Sequence, residues 1–299
     1  MGGSTFNSRE YASYSKSTIA SKSTREIFTA REINADFDPA KITMRESCDS
    51  VANPESTAII IGLDVTGSMN NVSDATIKGV GTLMEQLHSL KPISDPHIMC
   101  MGIGDVSAGD RAPLQATQFE ADLKIATQLK EIWLENGGGG NRSESYTLPW
   151  YFAATKTEIE CHSARGKKGY IFTIGDERIN DVLTKEQLNR VMGGGAERGY
   201  DAKELLEMAE EQYEVYHLMV EQGMNYRRDG ENVVSSWTDV LGERAIPLND
   251  VKRIPEVIIS TIMRNEGKTD DEIIAAWDND GAADSVRHSL NINLRNIRG

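Results

Sequence analysis

The chain has 299 residues, 39% of them hydrophobic and 26% charged, with 32 Lys and Arg against 46 Asp and Glu for a formal charge of −14. That length carries one large domain with extensions, or two small ones, and buries a full core without staples. The acidic balance argues against nucleic acid as the main partner, since phosphates call for a basic patch. The longest aliphatic runs, about six residues, fall far short of the ~20 that span a bilayer.

Taken in chain order, residues 1–30 are rich in Ser and Thr, and their charges are mostly basic (Arg9, Lys16, Lys22 and Arg25 against Glu10 and Glu26). This is the composition of a flexible or wrapping arm. Pro39 and Pro54 punctuate an extended segment behind it. From Thr57 the pattern alternates. Ala58–Leu63 (AIIIGL) is a continuous apolar run, as in a strand buried on both faces of a parallel sheet. Helical spacing follows in Ile77, Val80, Met84, Leu87 and Leu90.

A second buried strand is expected at His97–Gly104, an edge strand at Leu114–Phe119 behind Pro113, and a helix at Ala121–Leu134. Four glycines, Gly137–Gly140, interrupt the chain. Beyond them the pattern predicts helix at Leu148–Ile159, strand at Tyr170–Ile174, helices at Thr184–Met192 and Ala202–Glu211, and strands at Glu214–Val220 and Ala245–Leu248. A last long helix is expected at Pro255–Met263, with its proline in the first turn, and a capping box at Thr269–Glu272 opens an acidic helix. The alternation predicts an α/β, doubly wound, mostly parallel central sheet with helices on both faces.

Enzyme signatures fail on inspection. Gly267-Lys268-Thr269 has Ile262 where a phosphate loop needs glycine. Gly79-Val80-Gly81 lies inside a helix, and Gly102-Ile103-Gly104 lacks its third glycine. His88, His97, His162, His217 and His288 form no HExxH, and Cys48, Cys100 and Cys161 match no zinc spacing. With no GxSxG elbow either, nothing prepares a nucleophile or general base, and a non-enzymatic role is expected. The lack of an apolar leader points to a cytoplasmic protein.

One constellation remains. In an open α/β sheet, ligands sit beyond the carboxyl ends of the strands, and three loops there carry oxygen. DVTGSM follows the first strand with Asp64, Thr66 and Ser68. NRSESY follows the glycines with Asn141, Ser143, Glu144 and Ser145, and Gly175-Asp176-Glu177 follows YIFTI. Carboxylates and hydroxyls without His or Cys favour a hard cation, Mg2+ first and Mn2+ by substitution. Asp105, behind the second strand, is placed to orient a water of such an ion. Glu177 reads as a helix N-terminal charge or a solvated residue; Met99, Met101, Trp133, Trp150 and Tyr151 read as core.

DVTGSM resembles the metal-ion-dependent adhesion site, D-x-S/T-x-S, of von Willebrand factor type A domains. The resemblance covers roughly residues 57–265. It implies that Asp64, Thr66 and Ser68 ligate the metal, with Asp176 as the third-loop aspartate. GGGGNRSESY resembles the G-G-G-D-x-P-E form of integrin β-type domains, which implies Glu144 as ligand and Asn141 as a neighbour orienting the site. Ser143 stands where that form has proline, so Ser143 or Ser145 is the alternative ligand.

Asp64, Glu144 and Asp176 together would set three negative charges around a divalent ion. The implied organisation is an arm and extended segment over 1–54, a type A domain over 55–265, and an acidic helical extension over 266–299.

The implied function is a non-catalytic interaction module. A partner protein donates an Asp or Glu carboxylate to the metal, and that coordination would shift the last helix. The expected settings are an adaptor for a MoxR-like AAA+ ATPase or a scaffold among virion or other assembly subunits, in the cytoplasm or in a phage particle. The motif combination is similar to uncharacterised bacterial and phage proteins. The rival readings are a metal-dependent phosphoryl-transfer or hydrolytic enzyme, and a structural protein with a vestigial site.

Overall fold

The structure, a computed structural model, describes residues 4–67, 70–135, 143–278 and 281–292. Its centre is a six-stranded sheet built from β1 (Thr57–Asp64), β2 (Pro96–Ile103), β3 (Leu114–Ala116), β4 (Gly169–Gly175), β5 (Tyr213–Val220) and β6 (Ala245–Leu248). The order across the sheet is β6-β5-β4-β1-β2-β3, parallel except for β3, which runs antiparallel along β2. This is the α/β doubly wound arrangement that the sequence predicts.

The apolar runs read as they do because each strand feeds two cores. Ile59, Ile61 and Leu63 of β1 join one cluster, while Ala58 and Ile60 join the other. Ile98 and Cys100 alternate with Met99, Met101 and Ile103 in the same way. A strand sandwiched between two helical layers has no polar face, so its sequence is continuous rather than alternating.

The first layer holds α1 (Ser8–Thr18), α2 (Asn70–Leu90) and a later helix, α7 (Ile254–Asn265). The arm wraps onto this layer. Tyr11, Ile19, Ile27 and Phe28 are buried in its core, and the Tyr11 ring lies where a Cβ on Gly81 would meet it at 2.2 Å. The C-terminal helices Asp270–Ala275 and Ala283–Ser289 pack on the same layer, where buried Trp277 donates to Ser260 Oγ at 2.7 Å. The second layer holds α3 (Leu148–Lys156), α4 (Lys185–Met192), α5 (Ala202–Glu210) and α6 (Met224–Leu241). Among the described residues no helix is long and apolar enough to cross a membrane.

Several elements differ from expectation. The helix predicted to Ile159 stops at Lys156, because Thr157–Ile159 pairs in parallel with Arg45–Ser47. The helix expected over Ala121–Leu134 is only Lys124–Leu129, and the edge strand ends at Ala116. Helix α6 was not foreseen: of its 18 residues only Val233, Trp237 and Leu241 are buried, and it kinks at Asp229. Their four-residue spacing is the signal that could have found it.

Candidate metal and ligand site

The chain lays β1, β2 and β3 to one side and then returns to place β4, β5 and β6 on the other, so the strand order reverses between β1 and β4. At such a reversal, loops leaving the two carboxyl ends diverge, which is where open α/β sheets form their ligand crevice. Asp64 ends β1, and Leu63 pairs with Ile174, which puts Asp176 just beyond the neighbouring edge of that crevice. The middle loop is brought in by a short parallel ladder, Ser143 against Arg178 and Glu144 against Ile179. It is also stitched to the end of β2, where Ser145 N donates to Gly104 O at 3.3 Å and Val106 N donates to Ser145 Oγ at 2.9 Å.

Asp64 is fully buried. Its Oδ1 accepts from Thr66 N at 2.9 Å and from Thr66 Oγ1 at 2.6 Å, an Asx-type turn that holds the loop over the strand end. Its Oδ2 accepts from Tyr146 Oη at 2.8 Å. Asp176, equally buried, accepts from Asn225 N at 2.8 Å and from Asn225 Nδ2 at 3.3 Å. Glu144 is 2% exposed, and its Oε2 has no hydrogen-bond partner among the described residues. Asp105 accepts from Ser107 N at 2.7 Å and faces Ser145 Oγ at 3.5 Å.

Asp64, Glu144, Asp176 and Glu177 therefore share this end of the sheet, and burial with mutual repulsion disfavours their charged forms. Burial, with Asp176 adding repulsion, raises Asp64. Burial and then Asp64 and Glu177 push Glu144 far above the carboxylate range. Burial raises Asp176 against the opposing amide of Asn225. Burial, Asp64 and Asp176 take Glu177 to about 7. Among the described residues no Lys or Arg pairs with Asp64, Glu144 or Asp176.

Ser68, Asn141 and Gly137–Gly140 lie outside the described residues. Of the remaining expected ligands, Asp64 and Thr66 are in contact, and Asp176 and Glu144 are close enough to Asp64 to perturb it or be perturbed by it. Ser145 is engaged by Val106 and Asp105, and Ser143 sits half-buried opposite Arg178. That leaves Glu144 as the middle-loop residue with an unengaged oxygen.

Glu177 is neither solvated nor at a helix start. It is half-buried, accepts from Asn225 Nδ2 at 2.7 Å and precedes the strand Arg178–Ile179. Met99, Met101, Trp133, Trp150 and Tyr151 are buried. Sequence reasoning missed Tyr146, Asn225 and Trp237. The last stacks on neutral His217 at 3.5 Å and donates Nε1 to Glu177 O at 3.0 Å, forming an aromatic floor beneath the acids.

Among the described residues no group of three or more His, Cys, Asp and Glu side chains is gathered as a ready-made metal cage. With Thr66 as the described hydroxyl beside Asp64, the residues present would suit only a cation that keeps several waters, as Mg2+ does.

No family model matches the chain, and no curated protein matches it. Among solved structures it is similar to the pilus adhesin SpaC from Lactobacillus rhamnosus GG in its open conformation, at 11% identity over 74% of this chain and 31% of that one, with a TM-score of 0.43. It is similar to the conserved hypothetical protein BatB from Bacteroides thetaiotaomicron, at 15% identity over 71% of this chain and all of that one, TM-score 0.40. A third is von Willebrand factor type A from Catenulispora acidiphila, at 10% identity over 72% of this chain and 44% of that one, TM-score 0.38. The chain spans less than half the length of the adhesin and of the Catenulispora protein. These are likenesses of fold between distant sequences, and the reading of the site rests on its side chains.

Proposed function

We propose that this protein is a non-catalytic interaction module that holds a divalent cation, Mg2+ or Mn2+, at the crevice between β1 and β4 and uses it to take an Asp or Glu carboxylate of a partner protein. Asp64, Thr66, Ser68, Glu144 and Asp176 would hold the ion, with Asp105, Ser143 and Asn141 orienting them. The cation supplies a positive centre with room for one more anionic oxygen. The settings this fits are an adaptor for an AAA+ ATPase or a scaffold among assembly subunits, including those of a phage particle.

The observation that carries the proposal is Glu144. A carboxylate 2% exposed, with an unpartnered oxygen and acidic neighbours, is costly unless protonated or met by a cation. The chain's own residues do the rest. Thr66 fixes the Asp64 rotamer, Tyr146 holds its second oxygen, and Asn225 draws Asp176 and Glu177 together.

The test is calorimetric titration of Mg2+ and Mn2+ into wild type and Asp64→Ala, paired with affinity capture from the native host in Mg2+ and in EDTA. Binding by wild type alone, with capture abolished by EDTA and by the substitution, is expected. Equal binding by both proteins, or capture indifferent to EDTA, overturns the proposal. Mg2+-dependent phosphate release would favour a hydrolytic enzyme instead.

A further inference from the structure

Helix α6 starts without a cap of its own. Its N-cap residue is Gly223, which has no side chain to accept from the first turn. The missing acceptor comes from another loop: Asp176 takes the amide of Asn225 at 2.8 Å and also engages that of Tyr226. Gly223 comes so close that a Cβ there would lie 2.2 Å from Asp176 Cβ, so the approach requires glycine. The Asn225 side chain then spans two acids, donating Nδ2 to Asp176 Oδ1 at 3.3 Å and to Glu177 Oε1 at 2.7 Å. One neutral amide thus holds together two carboxylates that repel each other.

The turn so capped is a separable unit. Asp229 leaves the helical region with φ −142° and ψ 31°, which divides Met224–Arg228 from the remainder of α6. The remainder has an anchor of its own in Trp237, which donates to Glu177 O and stacks on His217. Met224 is 63% exposed, and Arg227 and Arg228 are exposed beside it, so the turn forms part of the crevice rim.

We propose that Asn225 is a positioning residue for the cation of the crevice, and that cation occupancy in turn orders Met224–Arg228 through Asp176. The inference rests on the cation-binding function proposed above. A cation among the acids would offset the repulsion that the Asn225 amide bridges, and so would steady Asp176 where it accepts from the helix amide of Asn225. Coupling between two binding events is reciprocal, so whatever the turn gains from the cation, the cation gains from the turn. A partner arriving at the cation would then meet a rim already set in place.

The experiment is amide hydrogen exchange on the full chain in Mg2+ and in EDTA, read at Asn225 and Tyr226, together with Mn2+ titration followed by electron paramagnetic resonance. Slower exchange of both amides in Mg2+ is expected. Asn225→Ala should weaken Mn2+ binding about 10–100-fold, the range typical of groups that orient metal ligands. Asn232→Ala, farther along the same helix, should leave it unchanged. Unaltered exchange at 225 and 226 while wild type binds Mn2+ overturns the inference and leaves the proposed function standing, as does an unchanged affinity in Asn225→Ala. Wild type that binds no Mn2+ overturns both. Should Asn225→Ala fail to fold, the wild-type exchange measurement decides alone.

Discussion

Tyr146 donates its hydroxyl to Oδ2 of Asp64 at 2.8 Å, joining two fully buried residues 82 positions apart in the chain. The hydroxyl occupies the room left by Gly175, where a Cβ would stand 1.9 Å from Oη. Burial, and then Asp64 and Asp176, push its ionisation far upward, so it remains a donor at any ordinary pH. The end of β1, the end of β4 and the middle loop are thereby held by one aromatic side chain, itself packed edge-on against His217 and Trp237.

Removing that hydroxyl should cost stability and loosen Asp64. Tyr146→Phe is expected to lower unfolding free energy by about 1–3 kcal/mol, the range for a buried hydrogen bond to an ionisable acceptor. Gly175→Ala should cost a similar amount by displacing the ring, about 1–3 kcal/mol for overpacking. Urea unfolding at constant Mg2+ checks both; a Tyr146→Phe variant as stable as wild type would show that water replaces the phenol.

The acids give stability a pH dependence of definite sign. Asp64, Glu144, Asp176 and Glu177 are all raised in the folded protein, Glu177 to about 7. The folded state therefore holds these protons more tightly than the unfolded chain, whose carboxyls titrate near ~4. Their contribution is complete below that pH and is lost as the pH climbs, up to about 7 for Glu177 and well beyond it for Glu144, because the unfolded chain sheds its protons first. In EDTA, wild type should lose stability between about pH 5 and 7.5, and Glu144→Gln should show a shallower decline. Added Mg2+ should flatten the wild-type curve. Parallel curves for the two proteins in EDTA would contradict the burial of an ionisable Glu144.

The arm should be structural. Tyr11 is 5% exposed, rests on Gly81 and donates its hydroxyl to Ile77 O at 3.2 Å. Tyr11→Ala is expected to destabilise the protein by about 3–5 kcal/mol, as for other large aromatics truncated in a core. Limited proteolysis should then cut within residues 1–30 far faster than in wild type. Equal cleavage rates would place the arm off the domain in solution.

Much of the architecture was readable in the amino-acid order. The runs AIIIGL and YIFTI announce strands covered on both sides, and β1 and β4 are found there. Asp64 directly follows the first run and Asp176 follows the second by one glycine, so their place at the sheet's carboxyl edge follows from strand position alone. Thr184 and Thr269 open helices with capping boxes, a device complete within four residues. The N-terminal arm was less clear: its Ser/Thr-rich composition hides the few residues, Tyr11, Ile19, Ile27 and Phe28, that enter the core.

What could not be read was which distant groups meet. Tyr146 reaches Asp64 across 82 positions, and Asn225 reaches Asp176 across 49. Nothing local in either side chain marks it as part of the crevice. Helix α6 is weakly marked because its four-residue apolar spacing runs only over Val233, Trp237 and Leu241, behind a kink at Asp229. Periodic burial is a short-range property, written into each element by the two layers that cover it. Contact between loops depends on strand order, and the reversal between β1 and β4 is a property of the whole sheet, set when all six strands have found their neighbours.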